Sequence, residues 1–183
     1  MEITGSMNKN TTNILVAIAL IGLVVALRVL PHPANFAPVA AAAIFGGAVL
    51  PRRLALWVPL AAMIASDLII GLHSLVLLTW GSYALFALAS SHWLRRNLNF
   101  VRGATLTISA SIFFFVVTNF GVWATSGMYA HTWAGLIRCY ELALPFFRNT
   151  LMSDIVYTIV LFGAYWLAIK LGQHLVLRTK ANF

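Results

Sequence analysis

Two carboxylates lie inside long apolar runs, where a charge is costly unless it has a partner. Asp67 lies in the stretch SDLIIGLHS and Asp154 in the stretch MSDIVYT, and the whole chain has only four acidic residues. A charged side chain at the centre of a membrane-spanning helix costs about 2.5–3.5 kcal/mol. Two interpretations stay open for each carboxylate. Either Asp67 pairs with Arg28 and Asp154 with Arg148 to stabilise the fold, or the carboxylates bind a ligand.

Polar and aromatic side chains recur at helical spacing in the same runs. Asn119 and Trp123 are four residues apart, and Trp80 and Tyr83 are three apart, so each pair shares one face of a helix. The amide of Asn119, deep in the stretch FFFVVTNFGVW, needs a hydrogen-bond partner, which is either another helix or a bound molecule. The aromatic residues have a simpler interpretation as a belt at the membrane interface.

The composition is that of a membrane protein. Hydrophobic residues make up 61% of the chain and charged residues 9%, whereas soluble domains carry about 25% charged residues. The mean hydropathy is +0.90. The net charge of +8 does not indicate nucleic-acid binding, because the basic residues lie at the ends of apolar runs. The single cysteine, Cys139, excludes an internal disulfide and a zinc site built from cysteines.

Six apolar runs, each bounded by charge, proline or glycine, predict an all-α membrane protein with six transmembrane helices in a single bundle. A span needs about 20 apolar residues, and the second run is short at 15 residues. The predicted organisation is an N-terminal cytoplasmic tail at residues 1–13, a transmembrane domain at 14–176 and a basic cytoplasmic tail at 177–183. The six runs are 14–30, 36–50, 54–71, 75–94, 104–125 and 149–171.

The basic residues indicate how the helices are oriented, because cytoplasmic segments carry an excess of Lys and Arg. With the N-terminus in the cytoplasm, nine basic residues lie on the inner side and three on the outer side. If the second run does not span, the orientation of residues 51–183 is unchanged. We therefore expect a multi-pass protein of a cytoplasmic membrane. The inner residues are Lys9, Arg52, Arg53, Arg95, Arg96, Arg102, Lys170, Arg178 and Lys180, and the outer ones are Arg28, Arg138 and Arg148.

This orientation gathers the polar and aromatic residues on the outer side, where three of the four carboxylates also lie. The inner side has only a basic rim. The pattern predicts a polar and aromatic cup that opens outward, with Trp80, Tyr83 and Trp123 as stacking surfaces. No catalytic residue, metal ligand or cofactor is predicted. The predicted substrate-binding residues are Asn35, Asp67, His73, Trp80, Tyr83, Asn119, Trp123, Arg138, Glu141 and Asp154.

The connection between the fifth and sixth runs has an amphipathic pattern of its own. In the stretch HTWAGLIRCYELALPFF, apolar residues follow helical spacing, Arg138 and Glu141 share the other face, and Pro145 ends the pattern. This predicts a short helix at the outer interface, which is either a passive surface element or a lid over the cup. Cys139, beside Arg138, is expected to be accessible and reactive.

Three stretches resemble a known family: NFAPVAAAAIFGGAVL, SDLIIGLHS and FGVWATSGMYAHTWAGLIRCYELALPFFRNTLMSDIVYT. That family consists of small bacterial integral membrane proteins described only as candidate transport proteins. It in turn resembles the substrate-binding S components of energy-coupling-factor (ECF) vitamin transporters. The resemblance covers roughly residues 28–165. It implies an S-component-like six-helix fold with an outward-facing pocket that the outer loops close.

The resemblance also bears on partners and solute. In S components, small residues on the first helix contact a coupling subunit, and Gly22 and Ala26 form one such pair here. An ECF energising module is therefore one expected partner, and a solitary transporter is the alternative. Solitary cobalamin-type members ligate cobalt with a cysteine in an outer loop. His73 occupies the corresponding loop in this chain, so cobalamin is one candidate solute.

The residues favour a substrate-binding membrane transporter for a small, polar, vitamin-like solute. Its expected surroundings are membrane lipid, and no nucleic-acid partner is expected. Two alternatives stay open. One is a membrane-embedded enzyme with Asp67 and Asp154 as acid and base, although no HExxH or GxSxG motif supports it. The other is an accessory membrane subunit that binds no ligand.

Overall fold

The computed structural model describes the backbone of residues 8–181 and the side chains of residues 8–173. Its secondary structure consists of six helices, and no strand occurs in this range, which confirms the predicted all-α class. The side chains of Arg178 and Lys180, which entered the orientation count, and residues 1–7 of the predicted N-terminal tail lie outside the described residues. The helices are α1 (Lys9–Val29), α2 (Val39–Val49), α3 (Arg52–Ile70), α4 (Val76–Trp93), α5 (Phe100–Thr125) and α6 (Trp133–Ala181).

Four of the helices have the length and apolar composition needed to cross a membrane. They are α1, α3, α5 and the part of α6 at Trp133–Gln173. These helices are long and apolar enough to cross the hydrocarbon core of a bilayer, as the composition of the chain predicts, so the protein is a helical membrane protein. α4 is 18 residues long and carries several serine residues, which lowers its hydropathy.

α2 is shorter than the span predicted over residues 36–50. It has 11 residues, which corresponds to about 16 Å, whereas the hydrocarbon core of a bilayer is about 30 Å thick. Pro38 precedes its first turn, and Pro51 follows its C-cap Leu50, so prolines limit the helix at both ends. Every residue from Val39 to Ala48 is buried. α2 is therefore a half-length helix at the centre of the bundle.

Small residues let α2 lie close to its neighbours. The sequence VAAAAIFGGAV is apolar on all sides, as expected for a helix that other helices surround. A Cβ atom at Gly47 would overlap the Ala87 carbonyl oxygen and lie 2.7 Å from Ser90 Cβ, so only glycine fits against α4 there. The Ser90 hydroxyl donates a hydrogen bond to the Ile44 carbonyl, which joins the same two helices.

α6 combines two elements that the sequence predicts to be separate. The predicted interfacial helix does not end at Pro145; it continues into the sixth span as one helix of 49 residues. Contacts with α5 hold it on both sides of the proline. Before Pro145, the Tyr140 hydroxyl donates to the Val116 carbonyl at 2.7 Å. After it, the ring of Phe147 lies 4.7 Å from that of Phe115. These contacts keep the helix continuous although Pro145 provides no backbone N–H.

The helices alternate in direction, so two ends of the bundle can be distinguished. The C-terminal ends of α1 and α3 meet through Arg28 and Asp67, and α5 runs antiparallel to α6, as the Thr107–Thr158 hydroxyl contact of 3.2 Å shows. One end therefore carries the α1–α2, α3–α4 and α5–α6 connections. Among the described side chains, the other end carries the basic rim: Lys9, Arg52, Arg53, Arg95, Arg96, Arg102 and Lys170.

Candidate functional site

A cavity of about 630 Å³ opens at the end of the bundle opposite the basic rim. All six helices or their connections contribute to its wall, because the half-length α2 leaves a space above its N-terminal end that the longer helices surround. The lining combines aromatic rings with a few polar side chains. The polar and charged lining residues are Arg28, His32, Asn35, His73, Thr79, Tyr83, Thr118, Asn119, Tyr129, Thr150 and Asp154.

Five of the ten predicted substrate-binding residues line this cavity. They are Asn35, His73, Tyr83, Asn119 and Asp154. They come from five different parts of the chain, namely the α1–α2 turn, the α3–α4 connection, α4 and the two long antiparallel helices α5 and α6. These five residues therefore lie together in the wall of one cavity, and their role in binding a substrate stays a prediction.

Asp154 is buried in the cavity wall. Its residue is 2% exposed, and the Ser111 hydroxyl donates a hydrogen bond of 2.7 Å to its Oδ2 atom. The neighbouring Ser153 hydroxyl donates to the Ala37 carbonyl at 3.1 Å, which fixes this part of α6 against the α1–α2 turn. The alternative in which Asp154 pairs with Arg148 is wrong, because the ion pairs among residues 8–173 do not include it and Arg148 is exposed.

Asp67 forms the ion pair with Arg28 that is one of its two interpretations from the sequence. Its Oδ1 atom lies 2.8 Å from Arg28 Nη1, and its Oδ2 atom accepts a hydrogen bond of 2.7 Å from the Trp80 indole. The same Arg28 nitrogen also donates to the Ser66 hydroxyl and to Met63 Sδ. Asp67 is 1% exposed and joins α1, α3 and α4.

Asp67 and Trp80 therefore lie outside the cavity lining and act behind it. Arg28 is the member of this group that lines the cavity, with 16% of its side chain exposed. The sequence places Arg28 at the same end of the bundle as the predicted site but assigns it no role in binding. The missing information is which helix ends face one another, because this decides whether the carboxylate or the guanidinium points inward.

Three further predicted residues lie at the same end of the bundle as the cavity. The Trp123 indole donates to the Ala130 carbonyl at 3.0 Å, and its ring lies 5.4 Å from that of His131, so Trp123 fixes the α5–α6 connection. Arg138 and Glu141 are both exposed and 3.4 Å apart on successive turns of α6. None of these three side chains lines the cavity.

Asn119 keeps part of its hydrogen-bonding capacity free for the cavity. Its Nδ2 atom donates to the Phe115 carbonyl one turn earlier on the same helix, at 2.7 Å. The Thr118 hydroxyl likewise donates to the Phe114 carbonyl at 2.7 Å. Because one amide can also accept through its carbonyl oxygen, Asn119 can still receive a hydrogen bond from a molecule in the cavity.

Phenylalanine rings form much of the remaining wall, and the sequence does not identify these rings as cavity residues. The ring of Tyr83 stacks on Phe114 with centroids 5.1 Å apart, and Phe115 and Phe147 also line the cavity. In the sequence, the run Phe113–Phe115 is indistinguishable from a lipid-facing segment. Only the packing of α5 against α4 and α6 shows which of these rings face inward.

Cys139 is buried, so the prediction that this cysteine is accessible and reactive is wrong. It is 2% exposed, and its thiol donates to the Asn119 carbonyl at 3.4 Å. The physical reason is the continuity of α6, which turns this face of the helix toward α5 instead of toward water. Among the described residues, no three His, Cys, Asp or Glu side chains are grouped as metal ligands.

A second cavity of about 430 Å³ lies between α5 and α6 near the opposite end of the bundle. Its lining is almost entirely apolar and includes Phe100, Phe162 and Trp166, with no charged side chain. A groove of this kind between two membrane-spanning helices suits lipid acyl chains, because its polar lining residues, Asn99, Thr107 and Thr158, expose little polar surface to a ligand. The cavity that contains Asp154 is therefore the candidate functional site.

The fold and this cavity define a helical membrane protein with a polar pocket at one end of its bundle. The chain belongs to a family of unknown function, DUF6580, whose model matches residues 8–176. No curated protein and no solved structure matches the chain.

Proposed function

We propose that the protein binds a small polar solute in the cavity opposite the basic rim and that this binding is the recognition step of membrane transport. The observation that carries the proposal is the 630 Å³ cavity itself, which is lined with polar groups in an otherwise apolar bundle. Cavities of about 300–1,000 Å³ hold ligands of the size of drugs and cofactors. A vitamin-sized solute fits this range.

The polar groups of the cavity support a ligand-binding role over a purely structural one. Ionisable residues inside membrane proteins usually face a bundle interior or a water-filled pathway and mark the route of a substrate. Asp67 follows the structural alternative, because Arg28 and Trp80 already bind it. Asp154 and Asn119 do not, since each forms one side-chain hydrogen bond within the described part of the chain and each lines the cavity.

The α5–α6 connection is the proposed gate of this pocket. Met128 and Tyr129 of this connection line the cavity, and Gly127 precedes them with a φ of +70°, a conformation that glycine adopts without strain. Short loops over a binding pocket commonly open and close it. This proposal moves the gate from the predicted helix after Trp133 to residues 126–132.

Transport also requires a membrane and a source of energy. We place the protein in the bacterial inner membrane with the basic rim in the cytoplasm, following the excess of basic residues at that end. Gly22 and Ala26 lie exposed on α1, and a side chain at Gly22 would meet nothing within 4 Å. This is the face on which an energising subunit would pack, as the resemblance to S components implies.

Mass spectrometry of the purified protein tests the binding role. We expect the native protein to retain a small solute and Asn119→Ala to lose it. Thr125→Ala is the matched control, because Thr125 also donates to a carbonyl one turn earlier on α5 but lies outside the cavity. Equal retention of the solute by both variants, or no solute in native protein exposed to cell extract, would contradict the proposal.

A further inference from the structure

The charged groups around the cavity do not cancel one another. Arg28 and Asp67 form an ion pair at 2.8 Å, so their charges offset each other. Asp154 is the acidic residue that lines the cavity itself. Among the described side chains, no basic group lies within ion-pair distance of it, and its side-chain partner is the neutral hydroxyl of Ser111. An ionised Asp154 therefore leaves the empty site with one uncompensated negative charge.

Other charges at this end of the bundle do not supply the missing positive one. Arg138 and Arg148 are exposed, so water screens them. The N-terminal ends of α2, α4 and α6 and the C-terminal ends of α1, α3 and α5 all lie at this end of the bundle. Because helix N-termini are positive and C-termini negative, these three pairs of ends largely offset each other.

Aromatic rings form part of the apolar wall of the cavity. Tyr83 and Phe114 stack at 5.1 Å, and Phe115 and Phe147 lie 4.7 Å apart, and all four residues line the cavity. The same rings provide apolar surface for the uncharged part of a solute.

We propose that the cavity selects an organic ammonium ion, with the ammonium group at Asp154 and the apolar part of the solute against the rings of Tyr83, Phe114, Phe115 and Phe147. A divalent metal ion is a poorer match, because calcium takes six to eight oxygen ligands and no group of three ligating side chains occurs among the described residues. This inference rests on the proposed binding role and names the class of solute.

A series of three probes tests the sign of the preferred charge on the native protein. The probes are 2-phenylethylamine, 2-phenylethanol and phenylacetate, which combine one ring with a positive, neutral or negative group. We expect calorimetry in detergent to show that the amine binds about tenfold more tightly than the alcohol, the value of one charged hydrogen bond, and that phenylacetate binds most weakly. Equal or tighter binding of the alcohol or of phenylacetate would overturn the inference.

Variants then test which residue causes the tighter binding of the amine. Asp154→Asn should abolish the tighter binding of the amine relative to 2-phenylethanol, and Glu141→Gln, an exposed carboxylate outside the cavity, should leave that difference as in the native protein. An amine preference that survives Asp154→Asn would overturn the inference. A different result contradicts the proposed binding role, namely that the Asn119→Ala protein retains as much solute as the native protein. An alcohol that binds as tightly as the amine and loses its affinity in Asn119→Ala would preserve that role while excluding the ammonium ion.

Discussion

At the level of single residues, two carboxylates in similar sequence surroundings have different roles. Asp67 is bound by Arg28 and Trp80 and connects three helices. Asp154 has a single neutral donor, Ser111, and lines the cavity. The sequence offers both interpretations for both residues, because each carboxylate lies near one end of a long apolar run and has an arginine predicted to be at the same end of the bundle. Only the three-dimensional arrangement distinguishes the paired carboxylate from the free one.

The ion pair of Asp67 gives a stability prediction. Asp67→Asn should lower stability by about 3 kcal/mol, the lower end of the range for breaking a buried pair, because Arg28 loses its counter-ion while the amide still accepts from Trp80. Thermal unfolding in detergent measures this as a reduced melting temperature. Glu141→Gln is the control, since its ion pair is exposed and contributes little. An Asp67→Asn protein as stable as the native one would contradict the structural role.

At the level of elements, the sequence predicts the existence of the helices better than their ends. It identifies the long apolar helices because their hydropathy and length are sufficient evidence. It overestimates α2, since residues Phe36 and Ala37 are apolar but lie before Pro38, which limits the helix. It divides α6 at Pro145, because a proline usually interrupts a helix and the contacts with α5 that hold this one continuous are not visible in the sequence.

The close packing of α2 predicts a strong effect of one added methyl group. Gly47→Ala should destabilise the protein by about 1–3 kcal/mol or more, because its Cβ would overlap the Ala87 carbonyl oxygen and Ser90 on α4. Gly81→Ala, on α4 in open space, is the matched control and should be neutral or stabilising. Melting temperatures of the two variants compare them directly. Equal melting temperatures for the Gly47→Ala and Gly81→Ala proteins would contradict the packing of α2 on α4.

At the level of the whole molecule, charge and polarity divide between the two ends of the bundle. The sequence predicts this division because the basic residues and the polar residues alternate from one connection to the next. It also predicts that Asn35, His73, Tyr83, Asn119 and Asp154 meet at one end. It does not predict the shape of the cavity, because that depends on the short length of α2 and on which aromatic rings of α5 face inward.

The charge distribution gives a prediction of orientation. In a Cys139→Ala background, cysteine at Ser74 should react with a membrane-impermeant maleimide added to intact cells, whereas cysteine at Asn97 should react only after the membrane is opened. Both positions are exposed in the structure, so accessibility to the protein surface is matched. The reverse pattern of labelling would place the cavity on the cytoplasmic side and exclude uptake from outside as the proposed role.

The most direct measurement is an experimental structure of the protein with the solute that it retains through purification. We expect the solute to occupy the 630 Å³ cavity, with polar atoms within about 3.5 Å, hydrogen-bond distance, of Asn119 and Asp154. Its apolar part should lie against Tyr83 and Phe114. A solute bound in the apolar groove between α5 and α6, or a cavity that stays empty at saturating solute, would contradict the assignment of this cavity as the binding site.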